Sequence, residues 1–167
     1  TRSIAADACN NGKVKWNGFT PPDQRHGFDY WYSYGTYNMH LHPMYWSTDA
    51  GKMDFHYVDE WEPQHDVDKA IEYLENKNGQ YRKEDDPFGL VVSMNPPHTM
   101  YTQLPAKYYK LYKNIPIDSF LKDPDIPASG TPMGDAYRRD IRYYYAAITG
   151  DDEQIDRVLA TLRKTGL

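Results

Sequence analysis

Apolar residues recur along this chain with three different spacings, and each spacing predicts a different element. Val67, Ala70, Ile71 and Leu74 stand at i, i+3, i+4 and i+7. That is an amphipathic helix, with Asp66 near its start and Asn78-Gly79 beyond its end. Met53 to Asp59 alternates apolar and polar side chains, as a half-buried strand does. Leu90 to Val92 is a short, partly β-branched apolar run, the pattern of a buried strand against which the helix packs. Pro96 and Pro97 stop that strand and redirect the chain. Ile141, Ile148, Ile155 and Leu162 are spaced by sevens, with Tyr144/Tyr145 and Val158/Leu159 between them. Gly150-Asp151 resembles a helix end followed by a new cap, yet the apolar stripe resumes in phase across it. One continuous helix from about Asp135 to Lys164 is therefore predicted, since an interior glycine costs only about 1 kcal/mol against alanine.

The remaining stretches read as connections. Pro105 suits the first position of a short helix running toward Tyr112. Asn114 to Pro132 carries four prolines and few apolar residues in register, so it reads as an irregular surface loop. Pro21-Pro22 opens a turn leading to the aromatic run around Tyr30-Trp31, and Ile4 to Gly12 reads as a loop or a severed end turning at Asn11-Gly12.

Composition narrows the partners. The 167 residues suffice for one domain with a sizeable core, and the net charge of -5 disfavours nucleic acid or an anionic membrane. No apolar run approaches the roughly 20 residues of a membrane span, and no export signal opens the chain. A single cysteine, Cys9, excludes an internal disulfide. Sixteen Tyr and four Trp offer amphipathic rings suited to sugar or aryl recognition, and equally to cores and interfaces.

Candidate chemistry centres on histidines. His98 is placed just beyond the carboxyl end of the predicted Leu90–Val92 strand, where ligands bind in open α/β sheets. His40-Leu41-His42 lies in an aromatic neighbourhood with Tyr37, Tyr45 and Trp46. An extended His-x-His puts both imidazoles on one face, so three readings stay open: lining a substrate pocket, ordinary loop packing, or, less favoured, binding a transition metal. Asp85-Asp86 is an adjacent pair of acids that precedes an apolar run, so it reads as loop and strand entry.

Strand, then Ser93-Met94-Asn95-Pro96-Pro97-His98, then an aromatic residue closely resembles the middle histidine motif of the sulfatases of the alkaline-phosphatase superfamily. Gly27-Phe28-Asp29 and Tyr143 to Ile155 are similar to further segments of that family, in the same order. Other stretches depart from it. Cys9 is followed by Asn10-Asn11-Gly12-Lys13 and not by the x-Pro-x-Arg of the modified nucleophile, and no histidine follows Trp16 as in the family's Gly-Lys-Trp-His. Thr99-Met100-Tyr101 stands where x-Pro-Tyr is usual, and Asp151 and Asp156 where an apolar residue and a glycine are more common.

The resemblance implies an α/β fold, part of an alkaline-phosphatase-like three-layer α/β/α domain with a long C-terminal helix. It implies that residues 1–167 are a single partial domain, with the nucleophile segment before Thr1 and the last metal-ligand strand after Leu167. The implied parent enzyme is a periplasmic or extracellular sulfuric ester hydrolase with a formylglycine nucleophile and Ca²⁺, acting on small-molecule or carbohydrate sulfate esters. His98 takes the sulfate-contacting catalytic role; His40, His42, Tyr37 and Tyr101 are candidate substrate contacts, and no metal ligand falls in the chain. By itself the chain should be inactive, and edges left open by truncation should favour self-association. A phosphodiesterase or phosphonate hydrolase of the same superfamily is one alternative, and a non-catalytic carbohydrate-binding module another.

Overall fold

The computed structural model describes residues 9–10, 13–14, 18–83 and 86–167. Three helices organise it: α1, Glu62–Glu75; α2, Ala106–Tyr112; and α3, Pro132–Thr165. The strands are short. Cys9–Asn10 (β1) pairs antiparallel with Lys13–Val14 (β2), and Met44–Tyr45 (β3) with His56–Tyr57 (β4), extended by a bridge between Ser33 and Trp46. No helix among the described residues is long and apolar enough to cross a membrane.

The predicted long helix is continuous. Its 34 residues start where the Thr131 hydroxyl accepts from the Gly134 amide, with Pro132 at the first position, and end at Gly166 with φ of 78°. These are the ordinary start and stop devices of a helix. Gly150 does not interrupt it because packing there requires glycine: a Cβ would collide with the rings of Trp61 and Tyr108. The core is built at this notch, from Trp61, Leu104, Tyr108 and Ala146, with Tyr109 stacked on Tyr143 at 4.2 Å between ring centroids.

The buried face of α3 differs from the predicted stripe. Ile141 is buried, but Ile148 is 39% and Ile155 46% exposed. The face turned to α1 and α2 carries Ala147, Gly150, Asp151, Gln154 and Thr161 instead. Small residues let the helix axes approach, and ion pairs of Arg157 with Asp68 and Lys164 with Glu75 flank the contact.

The helix at Val67–Leu74 is present and begins earlier than predicted, at Glu62. It ends at Asn76 in the left-handed conformation with φ of 43°. The Asn76 side chain accepts from the Tyr81 and Arg82 amides, folding the chain back toward the helix.

The buried strand predicted at Leu90–Val92 does not form. Among the described residues no backbone hydrogen bond joins Phe88–Met94 to another segment, and Val91 is 72% exposed. The stretch carries strand-forming residues, but a strand exists only through a neighbour's ladder, and no described segment lies alongside to supply one. Phe88 lies edge-on to Tyr73 near the end of α1, at 5.7 Å between ring centroids. The alternating stretch at 53–59 forms a ladder only at β4, whose Tyr57 is exposed. The aromatic run after the Pro22–Gln24 turn is likewise extended and paired only at Ser33. The long connection before α3 is irregular as predicted, save for a 3₁₀ turn at Ile117–Phe120. Thus the described chain has the helices of an α/β arrangement and only a small part of a sheet.

Candidate active site

His98 sits on an exposed turn in which its amide donates to the Asn95 carbonyl at 3.1 Å. The Pro96–Pro97 and Thr99–Met100 peptide bonds are cis. The His98 Nδ1 donates to the carbonyl of Thr99 at 2.9 Å, with the Asn38 Oδ1 at 3.3 Å. A carbonyl can only accept, so Nδ1 carries the hydrogen. Nε2 then faces outward with no hydrogen-bond partner among the described residues, available to a ligand.

A second loop, Thr36–His42, is sewn to this turn. Asn38 meets both His98 and Asn95, and the Gln103 amide reaches the Met39 sulfur at 3.4 Å. His40 is 1% exposed: its Nδ1 meets Glu62 Oε2 at 2.5 Å, and its Nε2 donates to the same Thr99 carbonyl at 3.1 Å. The backbone reinforces the pair, since the Glu62 amide, a donor left free at the start of α1, bonds the His40 carbonyl at 2.7 Å.

Around Glu62 lies a buried polar layer. Asp66, one turn along α1, accepts from the Tyr45 hydroxyl at 2.8 Å, and Asp151 enters from α3. Burial, then the Glu62 charge, push Asp151 up to about 7, with His40 opposing. Asp66 is raised well above its usual range by burial and by Glu62, against the Tyr45 hydrogen bond. Burial works against a charged His40, but the hydrogen bond and charge of Glu62 and the Thr99 carbonyl outweigh it and hold the ring above its ordinary value. Three carboxyl groups this close cannot all ionise. The His40–Glu62 pair is flanked by two acids, Asp66 and Asp151, whose carboxyls are shifted toward the protonated form by burial and by the Glu62 charge.

The other sequence-selected residues lie around this centre. His42 is half exposed, bonded through Nδ1 to Asp59 Oδ1 at 2.6 Å and stacked on Tyr57. Tyr37 meets the same Tyr57 edge-on. Tyr101 packs instead against Tyr144 of α3. The structure therefore joins the Tyr37–His42 loop to His98 through Asn38 and His40, and seats Tyr101 beyond the turn. Asp86 is exposed; Asp85 and the side chains of Cys9 and Lys13 lie outside the described residues. Among the described residues no three His, Cys, Asp or Glu groups converge to hold a metal ion.

Sequence reasoning missed Asn38 and Glu62. Glu62 stands in Trp61-Glu62-Pro63, a helix-start signature whose acid is ordinarily a solvent-exposed first-turn residue. Asp151 was visible only as an acidic break in an apolar stripe.

The sulfatase family model matches residues 6–167. An endo-4-O-sulfatase of Bacteroides thetaiotaomicron is 41% identical over 155 residues, covering 91% of this chain and 29% of that protein. An ulvan-active sulfatase of Formosa agariphila is 30% identical over 152 residues, covering 90% of this chain and 27% of that protein. A crystal structure of the sulfatase-like protein yidJ from Bacteroides fragilis superposes with a TM-score of 0.86 at 50% identity, over 95% of this chain and 33% of that one. The chain thus spans less than a third of the length of the curated relatives it matches.

Proposed function

The chain belongs to the sulfatase family, as the order of motifs around His98 implied, and on that premise we propose that it is the central part of a catalytic domain hydrolysing sulfate esters of carbohydrates. The observation that carries this reading is the state of His98, whose Nδ1–H is spent on Thr99 while Nε2 is left outward. The substrate class is supported by the relatives, one named for 4-O-sulfate and one for ulvan. The site of action outside the cytoplasm, periplasmic or extracellular, rests on family resemblance.

By family resemblance the nucleophile would be a formylglycine hydrate on another segment of the complete domain, and a divalent cation, Ca²⁺, would be held by ligands outside this chain and would supply charge stabilisation for the sulfate. The described residues do not fit that ion, so nothing here is assigned to it. What this chain contributes is His98. As the ester S–O bond breaks, negative charge gathers on the departing sugar oxygen, and a protonated Nε2 hydrogen-bonds to that oxygen and delivers its proton. Tyr37, His42 and Tyr101 are the further residues for contact with the sugar around the ester. A groove of about 790 Å³ lies between the segments around Trp31 and Val91.

In the full-length enzyme His98→Ala lowers kcat by roughly 10²- to 10⁴-fold, the range for a positioned acid, with the melting temperature little changed. His26, exposed in a turn with φ of 53°, is the control. Normal turnover by the His98 variant together with loss in His26→Ala overturns the assignment. The isolated chain, lacking nucleophile and cation, is inactive; metal-dependent hydrolysis of an aryl sulfate by purified residues 1–167 contradicts that.

A further inference from the structure

Placed among candidate sugar contacts by its position in the sequence, His40 is nearly inaccessible, and both of its ring nitrogens are engaged. It cannot meet a sugar without abandoning Glu62 or Thr99. Its geometry suits a different task. The Thr99 carbonyl has two lone pairs and receives two imidazole N–H groups, His40 Nε2 at 3.1 Å and His98 Nδ1 at 2.9 Å. Which nitrogen of a histidine carries the proton is set by what the other nitrogen meets.

We propose that His40, clamped by Glu62, is a positioning residue for His98: it anchors the Thr99 carbonyl that both rings share, and so fixes the orientation and Nδ1–H tautomer that leave His98 Nε2 facing the ester. This rests on the sulfatase reading of His98. The chain of contacts runs from the first turn of α1 through the Glu62 carboxylate and the His40 ring to the carbonyl beside His98. The rigid end of the chain is buried: Glu62 is fully enclosed, and its amide is bonded back to His40. The other end is an exposed turn, where the His98 ring is held only through its Nδ1. Glu62 restrains His40 as carboxylates restrain metal-bound histidines, by occupying the far nitrogen.

A glutamine at position 62 can keep the restraint. Its amide NH₂ donates to His40 Nδ1, and the neutral ring still presents Nε2–H to Thr99. A phenylalanine at position 40 fills similar space but has no donor. The two variants therefore separate positioning from packing.

The test uses the full-length enzyme with two substrates, a carbohydrate sulfate and 4-nitrophenyl sulfate, whose leaving group needs little protonation. For His40→Phe we expect kcat on the carbohydrate sulfate to fall about 10-fold or more, the scale for losing an orienting partner, with KM nearly unchanged and a clearly smaller loss on the nitrophenyl ester. Glu62→Gln retains most of its activity on both. His98→Ala shows the same leaving-group dependence, more strongly. An equal loss on both substrates in His40→Phe, while His98→Ala discriminates between them, marks a structural role and overturns the inference alone. Normal turnover in His98→Ala overturns the sulfatase reading of that residue as well. One measurement needs no variant: the nitrogen resonances of neutral His98 in the wild-type enzyme must report Nδ1–H, and an Nε2–H tautomer overturns the proposal.

Discussion

The helix α3 has two faces that the protein uses in opposite ways. The face toward α1 and α2 is small and polar, with Ala147, Gly150, Asp151 and Gln154 buried against Trp61, Tyr108 and the His40–Glu62 pair. The other face is apolar, yet Tyr144, Tyr145, Ile148, Ile155 and Leu159 remain substantially exposed. The extended segment around Val91 repeats the second situation, with apolar side chains left in water. Hydrophobicity alone would have ranked the two faces the other way. The difference teaches that close approach of helix backbones over small residues, with a buried polar layer anchored by the His40–Glu62 pair, defines the interface this chain completes by itself. The most apolar surfaces are those we assign to contact with the rest of the domain.

Charging the open face gives the largest effect, and only in the complete enzyme. Ile155→Glu in the full-length protein is expected to cost ~3 kcal/mol or more by leaving a carboxylate buried without a partner. In the isolated chain it changes stability by less than about 0.5 kcal/mol, as an exposed substitution does, and weakens self-association. Denaturant unfolding of both forms and sedimentation of the isolated chain check this. Equal, small effects in both contexts would show that the face stays open in the enzyme.

The closed face breaks through its notch. Gly150→Ala in most helices gains helical propensity, but here the added methyl meets two core rings, so a net loss of about 1–3 kcal/mol is expected, as for overpacking. A gain in melting temperature would mean that the rings move aside freely.

A pH-dependent effect concerns the charges of the polar layer. Asp151 is raised in the folded state to about 7, so between roughly pH 4 and 7 the unfolded chain releases this proton while the folded one keeps it. Stability therefore falls as pH rises through that window and levels off above it. Asp66, also raised, acts in the same sense. The raised His40 does too, since its contribution is complete below its unfolded value and is lost as pH passes the folded one. Asp151→Asn removes one part of this slope, so its stability relative to wild type rises from about pH 4 to 7. An advantage independent of pH would place the Asp151 proton elsewhere.

Much of this protein was legible in its sequence wherever the cause is local. The extent of α3, the helix at Val67–Leu74, the short helix after Pro105 and the turn presenting His98 follow from spacing, prolines and caps, which act within a few residues. The resemblance to sulfatases rested on the same short stretches in order. What only tertiary structure decided depends on partners distant in the chain. Leu90–Val92 has the composition of a strand, but a ladder is made by two segments, and composition cannot supply the second. The buried face of α3 was decided by Trp61 and Tyr108, which need the space that Gly150 leaves. The joining of His40, Glu62 and Thr99, residues up to 59 positions apart, was invisible in sequence because each has an ordinary local reason to stand where it does. Only folding brings a helix start, a buried ring and a loop carbonyl within hydrogen-bonding distance.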